Sequence, residues 1–258
     1  VIYFIPFAPK ATKASWWYAR NILQKNRFSA FLFLFKNYYR FGQTLIDKVA
    51  VSAGNKNKYE FIFDDTYSQF LHILNEEKGA ILVGAHVGNW EIGAPFFDKY
   101  GKKMHIAMLD AEYQKIKEIL EKRGVGKNYN VLSLNEDDGL KNIFQVKDIL
   151  DKHEYVCFQG DRFLGNMPTV RTLFMNKQAR FPIGPFLLAS RLQVPIVFYF
   201  SMREKGMRYK FYFHITSPVS KKTEIKPEIQ ILQQYIHVLE NILKKYPEQW
   251  FNYYQFWE

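Results

Sequence analysis

His86 and Glu91 are of the residue types that can activate a hydroxyl group. A hydroxyl is a poor nucleophile until a base removes its proton during attack, and an imidazole has the right basicity for that task. A carboxylate on the second ring nitrogen would fix the tautomer and stabilise the imidazolium. The His-x4-acid spacing does not single out this pair, because three of the six histidines have an acid five residues on: His72 with Glu77, His86 with Glu91 and His105 with Asp110. Context does. Five residues along a helix leave two side chains about 140° apart at ~100° per residue, so His72 and Glu77 should diverge. His105 opens an apolar strand and Asp110 ends it, which separates them by roughly 16 Å at ~3.3 Å per residue. Only His86 and Glu91 have a turn between them, at Gly88-Asn89, and that turn is expected to fold Glu91 back onto the His86 ring. Asn89 fits a helix N-cap and Glu91 the first helical turn, where a carboxylate is favoured. Backbone N–H groups at that helix start could hold an oxyanion. The competing reading is a buried structural histidine in a turn.

The elements around the pair indicate an α/β fold. Residues 80–85 form a short apolar run, which reads as a buried strand leading into His86. Further strands are expected at 104–109, 155–159, 194–200 and 208–215, the last adding an antiparallel pair at an edge. Helices are expected near 90–100, 112–123, 140–150, 182–191 and 227–245. Strands alternating with helices imply a mainly parallel central sheet flanked by helices. Ligands bind such sheets beyond the carboxyl ends of the strands, which directs attention to the residues just after Ala85, Gln159 and Phe200. Asp161 and Arg162 lie just after the 155–159 strand, at the same sheet edge as His86. Arg162 is expected to grip a phosphate of donor or acceptor, with a structural Asp161–Arg162 ion pair as the alternative. Arg180 is a second anion-binding candidate. Arg171 and Lys177 fall in a loop between, and His153, His214 and His237 read as structural.

Two regions are distinguished. Residues 1–52 are an aromatic and basic helical region, expected as two amphipathic helices with membrane contact or with packing on a core as the two readings. Residues 53–258 hold the α/β domain, after a solvated loop at 52–58. The opening run Val1 to Phe7 reads either as a buried strand or as the remnant of an apolar segment; no stretch reaches the ~18 apolar residues of a spanning helix. Aromatic residues make up 18% of the chain, an excess expected to fill a core in part and otherwise to line an apolar groove or sit at a bilayer interface. A net charge of +11 favours acidic partners: nucleic acid, an anionic membrane or an acidic carrier protein. One cysteine, Cys157, excludes an intrachain disulfide and a CxxC metal site.

Several blocks in order resemble the lipid A biosynthesis acyltransferases, a family of lauroyl and myristoyl transferases distantly similar to the glycerol-phosphate acyltransferases. Residues 84–91 (Gly-Ala-His-Val-Gly-Asn-Trp-Glu) are similar to its His-x4-acid motif. Residues 159–162 (Gln-Gly-Asp-Arg), 179–185 (Ala-Arg-Phe-Pro-Ile-Gly-Pro) and 194–196 (Val-Pro-Ile) are similar to its next three blocks, and 246–250 (Tyr-Pro-Glu-Gln-Trp) to its carboxy-terminal signature. The resemblance implies His86 as general base oriented by Glu91, and Asn89, Asp161, Arg162, Arg180 and Gly184 on the substrate side. It implies an acyl-carrier-protein or coenzyme A thioester as co-substrate, no cofactor or metal, and no nucleic acid. It also implies a membrane-lipid acceptor at the cytoplasmic face of the inner membrane. Two departures leave the acceptor open: Gly160-Asp161-Arg162 stands where lauroyl transferases often carry Asp-Gln-Asp, and Phe251-Asn252 where His and Arg are usual. A lipid A precursor leads; an aminolipid, a lysophospholipid or a polyene pigment are alternatives. A hydrolase using the same dyad on water and a non-enzymatic binding protein are the rival functions.

Overall fold

The computed structural model describes residues 7–76, 78–93, 100–109, 130–135, 138–163, 167–216 and 224–258. Two helices come first, α1 (Pro9–Trp17), continuing as a π-helical turn over Tyr18–Ile22, and α2 (Arg27–Ser52). Asn26 caps α2 by accepting the Ser29 N–H at 2.8 Å. Next come β1 (Glu60–Phe63), α3 (Tyr67–Asn75), β2 (Ala80–Gly84), β3 (Met104–Leu109), β4 (Asn130–Leu134), α4 (Gly139–Asp151) and β5 (Tyr155–Gln159). The chain closes with β6 (Thr169–Phe174), β7 (Lys177–Pro182), α5 (Gly184–Leu192), β8 (Ile196–Arg203), β9 (Arg208–Thr216) and α6 (Pro227–Lys245).

Seven strands form one sheet in the order β1-β9-β8-β2-β5-β3-β4. All neighbours pair in parallel except β8 with β9. The antiparallel partner expected at the edge is therefore one strand in from it, because β1 caps β9. In the central strands β2 and β8 every residue is buried, as a parallel sheet covered on both faces requires. Side chains alternate between two cores with the pleat. Ile81, Val83, Val156, Phe158 and Phe198 face α6, whose Leu232, Tyr235 and Leu239 cover them. Leu82, Tyr155, Cys157, Val197 and Tyr199 face the other way, against Phe70 and Leu74 of α3.

Several expectations change. The stretch around Arg171 and Lys177 is not a loop but the β6–β7 hairpin, turned by Met175 and Asn176, both with positive φ. Of the helix expected at 90–100, the described part is a 3₁₀ turn over Trp90–Gly93, and residues 94–99 lie outside the described residues. The helix expected at 112–123 and residues 1–6 also lie outside them. Strands β1 and β4 were not anticipated.

The amino-terminal helices share the main core. Tyr18, Ala19, Ala30 and Phe33 belong to the same buried cluster as β2, α6 and Trp250. A buried polar network ties α2 to the sheet. Asp47 accepts from Arg203 Nε at 2.6 Å, from Tyr209 OH at 2.6 Å and from Tyr59 OH at 3.0 Å. Removing one partner of such a pair strands a charge in a medium that solvates it poorly. Asp47→Ala should therefore lower unfolding free energy by roughly 3 kcal/mol in urea denaturation. Arg208→Ala, which breaks the exposed pair with Glu60, should cost no more than about 1 kcal/mol.

Candidate active site

Register builds the site. Gly84 of β2 pairs with Gln159 of β5, so the residues two positions beyond each, His86 and Asp161, emerge side by side at the carboxyl ends of adjacent parallel strands. His86 Nδ1 lies 2.8 Å from Asp161 Oδ1, and the His86 backbone N–H donates to both carboxylate oxygens at 3.0 Å. Asp161 is completely buried, whereas the His86 side chain keeps 28% of its surface. With Nδ1 bonded to the carboxylate, the base function falls to Nε2.

The ring partner is thus Asp161 where Glu91 was expected. Glu91 instead forms an ion pair with Lys48 of α2. The turn between His86 and Glu91 explains the difference. Gly88 sits at φ +64°, and a Cβ there would collide with the Ser201 carbonyl oxygen. The loop is pressed onto β8 and the carboxy-terminal segment, not folded back on itself. Gly88 N–H donates to Gln249 O at 2.9 Å, Asn89 N–H to Ser201 O at 2.8 Å, and Phe251 N–H to His86 O at 2.7 Å. The backbone N–H groups of Gly88 and Asn89 are consequently engaged within the protein.

Asn89 is buried, and its amide donates to Thr44 O at 3.1 Å. It anchors the loop to α2. Asp161, expected to contact substrate, serves the His86 ring. Burial pushes the Asp161 pKa up, but the opposing His86 charge and the hydrogen bonds from His86 and Trp250 outweigh it and hold the carboxyl below its ordinary range. Arg162 lies beside this group with its guanidinium 5.3 Å from the Tyr254 ring centroid. Arg180 projects from β7, donates to Thr169 Oγ1 through Nη2 at 2.8 Å and Nε at 3.1 Å, and stacks over Phe163. Gly184 opens α5, with open space where a side chain would stand. Among the described residues no group of three or more His, Cys, Asp or Glu could hold a metal ion. Cys157 is buried, with its thiol pushed far above the ordinary range by desolvation, and takes no part.

Trp250, Asn252 and Tyr254 also belong to the site, although the sequence alone assigns none of them a role there. Trp250 Nε1–H donates to Asp161 Oδ2 at 3.0 Å, and Asn252 Nδ2 and Tyr254 OH each donate to the Asp161 carbonyl oxygen at 3.1 Å. Their sequence signal was the carboxy-terminal Pro-x-Gln-aromatic pattern, which ends at Trp250, and the departure from it at Phe251-Asn252.

His86 and its buried carboxylate partner thus stand at the carboxyl ends of adjacent parallel strands, the edge at which such sheets take their ligands. The model of the bacterial lipid A biosynthesis acyltransferases matches residues 33–258. The chain belongs to that family, and it is an acyltransferase. No curated protein matches it.

Asp161→Asn should lower turnover by about 100-fold or more, the scale on which a lost ring-orienting carboxylate acts. Glu91→Gln should cost less. Steady-state rates of the two purified variants check the order, and the reverse order would return the orienting role to Glu91.

Proposed function

We propose that this enzyme moves a fatty acyl group from an acyl-carrier-protein or coenzyme A thioester onto a hydroxyl of a membrane lipid, a lipid A precursor or a close relative. His86 Nε2 takes the hydroxyl proton as the oxygen attacks the thioester carbonyl carbon. The carbon–sulfur bond then breaks, and the leaving thiolate takes the proton from the imidazolium. Asp161 keeps Nδ1 protonated and aligned throughout. No enzyme nucleophile is needed, because the nucleophile belongs to the acceptor, and the thioester is a co-substrate rather than a cofactor. The observation that carries this reading is the His86–Asp161 pair placed at the sheet's ligand-binding edge in a chain of this family. Arg162 and Arg180 are the groups suited to phosphates of the acceptor or donor, by the paired donors of guanidinium.

The work is proposed to take place on the cytoplasmic face of the inner membrane. No helix among the described residues is long and apolar enough to cross a membrane, but α2 offers a face that can lie on one. Phe28, Leu32, Tyr39 and Ile46 are all exposed, and at ~100° per residue they fall within about 40° of one another around the axis. Phe28 and Ile46 keep 71% and 69% of their surface. Arg27, Lys36 and Arg40 accompany this stripe on the same helix, which suits an anionic lipid surface.

The decisive assay incubates the reconstituted protein with a mixture of acyl-carrier-protein and coenzyme A thioesters and a total lipid extract, read by mass spectrometry beside His86→Ala. A new acylated lipid that needs His86 is expected. Acceptor-independent release of fatty acid would identify a hydrolase. Phe28→Asp/Ile46→Asp should weaken sedimentation with phosphatidylglycerol vesicles by at least about tenfold, given roughly 1.5–3 kcal/mol for each large apolar side chain taken from water.

A further inference from the structure

We propose that Trp250 is a positioning residue for acyl transfer, its indole N–H fixing the Asp161 carboxylate and, through it, the ring of His86. The inference rests on the reading of His86 as the base. Among the described residues, two hold the Asp161 carboxylate by hydrogen bonds: His86, through its ring and its backbone N–H, and Trp250. The Trp250 bond goes to Oδ2 at 3.0 Å, while the His86 ring takes Oδ1. The two side chains therefore grip opposite oxygens and fix the carboxylate's rotation.

Packing alone does not require an indole here. Trp250 is buried among Tyr18, Phe174, Phe256 and Trp257 in edge-on contacts, and any large aromatic ring could supply those. What an indole adds is an inward donor that cannot accept a proton. Such a group steadies a carboxylate without competing for the proton that His86 must carry. Trp250 is itself held from both sides. It forms an antiparallel bridge with Val87, next to His86, and its carbonyl accepts from Asn37 of α2 at 3.0 Å. The indole thus places the carboxylate in the same frame as the histidine loop.

The charged and titratable groups around Asp161 are His86, Arg162, Tyr235 and Tyr254. Burial pushes both tyrosines well above the ordinary phenol range. His86 is left as the group that shares the carboxylate with Trp250. Removing the indole donor concentrates negative charge on the carboxylate, which favours the imidazolium.

The test compares Trp250→Phe with the parent in the full chain, using thioester and lipid acceptor. Expected are an unchanged circular dichroism spectrum, a KM for the thioester within about twofold, and a kcat lowered about tenfold, the scale of one hydrogen bond to a charged group. The acid limb of the kcat/KM profile should move to higher pH. Replacing Trp250 with benzothienylalanine keeps the ring and removes only the N–H, so it gives the same result even where Trp250→Phe fails to fold. An unmoved acid limb and unchanged kcat in a folded variant would overturn the inference, as would a rate loss that only tracks the unfolded fraction. A parent whose turnover survives His86→Ala would overturn the reading of His86 and this inference with it. A parent that needs His86, beside unaffected Trp250 variants, would overturn the inference alone.

Discussion

A carboxylate with no exposed surface has to be compensated within the protein, and Asp161 sets that requirement for this fold. The carboxylate is compensated from two other parts of the chain, and the site as a whole joins three. The β5 end carries Asp161, the β2 end supplies the His86 backbone and ring, and the carboxy-terminal segment supplies the Trp250 indole to the carboxylate and Asn252 and Tyr254 to the Asp161 carbonyl oxygen. None of these contacts forms until the strands have paired and the carboxy-terminal segment has wrapped back across their ends. The chemistry and the closure of the fold are therefore the same event. The indole and the imidazole satisfy a buried charge, and that charge in turn fixes the imidazole.

Helix α2 connects this centre to the outside. Its inner face carries Asn37, Thr44 and Asp47, which bond respectively to the carboxy-terminal segment, to Asn89 of the histidine loop, and to Arg203 of β8. Lys48 pairs with Glu91 at the end of the same loop. Its outer face is the exposed apolar stripe that we propose rests on lipid. One rigid helix thus joins the proposed membrane surface to the loop that holds His86, so the reacting hydroxyl of a lipid and the base would be held at a fixed separation. Of the two readings of the aromatic and basic region, packing on the core is seen directly, since Tyr18, Ala30 and Phe33 share the main buried cluster and Thr44 bonds to the histidine loop.

The parts of this arrangement that the sequence made legible are those governed by local pattern. Strands β2, β3 and β5 and helix α6 appear as apolar runs or amphipathic periods because burial on a given face dictates composition residue by residue. His86 stood out for the same reason, by lying at the end of one such run. The β6–β7 hairpin did not, because its turn uses Met175 and Asn176 in place of the usual Asn-Gly, and its strand carries exposed Arg171. The partner of His86 was misassigned for a different reason. Glu91 is close in sequence, whereas Asp161 is 75 residues away. It becomes a neighbour only because β5 pairs with β2, an order that nothing local encodes. Trp250 was hidden in the same way, as a residue whose role depends on a segment folding back over the sheet.

The central claim is that Asp161 holds His86 with a proton on Nδ1 and leaves Nε2 as the base. The most direct measurement is the tautomer of His86 in the folded enzyme at neutral pH, read from long-range nitrogen–proton correlations of the ¹⁵N-histidine-labelled protein and assigned by comparison with His86→Ala. The account predicts the neutral ring with Nδ1 protonated and Nε2 bare, and loss of that preference in Asp161→Asn. A ring protonated on Nε2, or a tautomer balance indifferent to Asp161 and sensitive to Glu91, would contradict it.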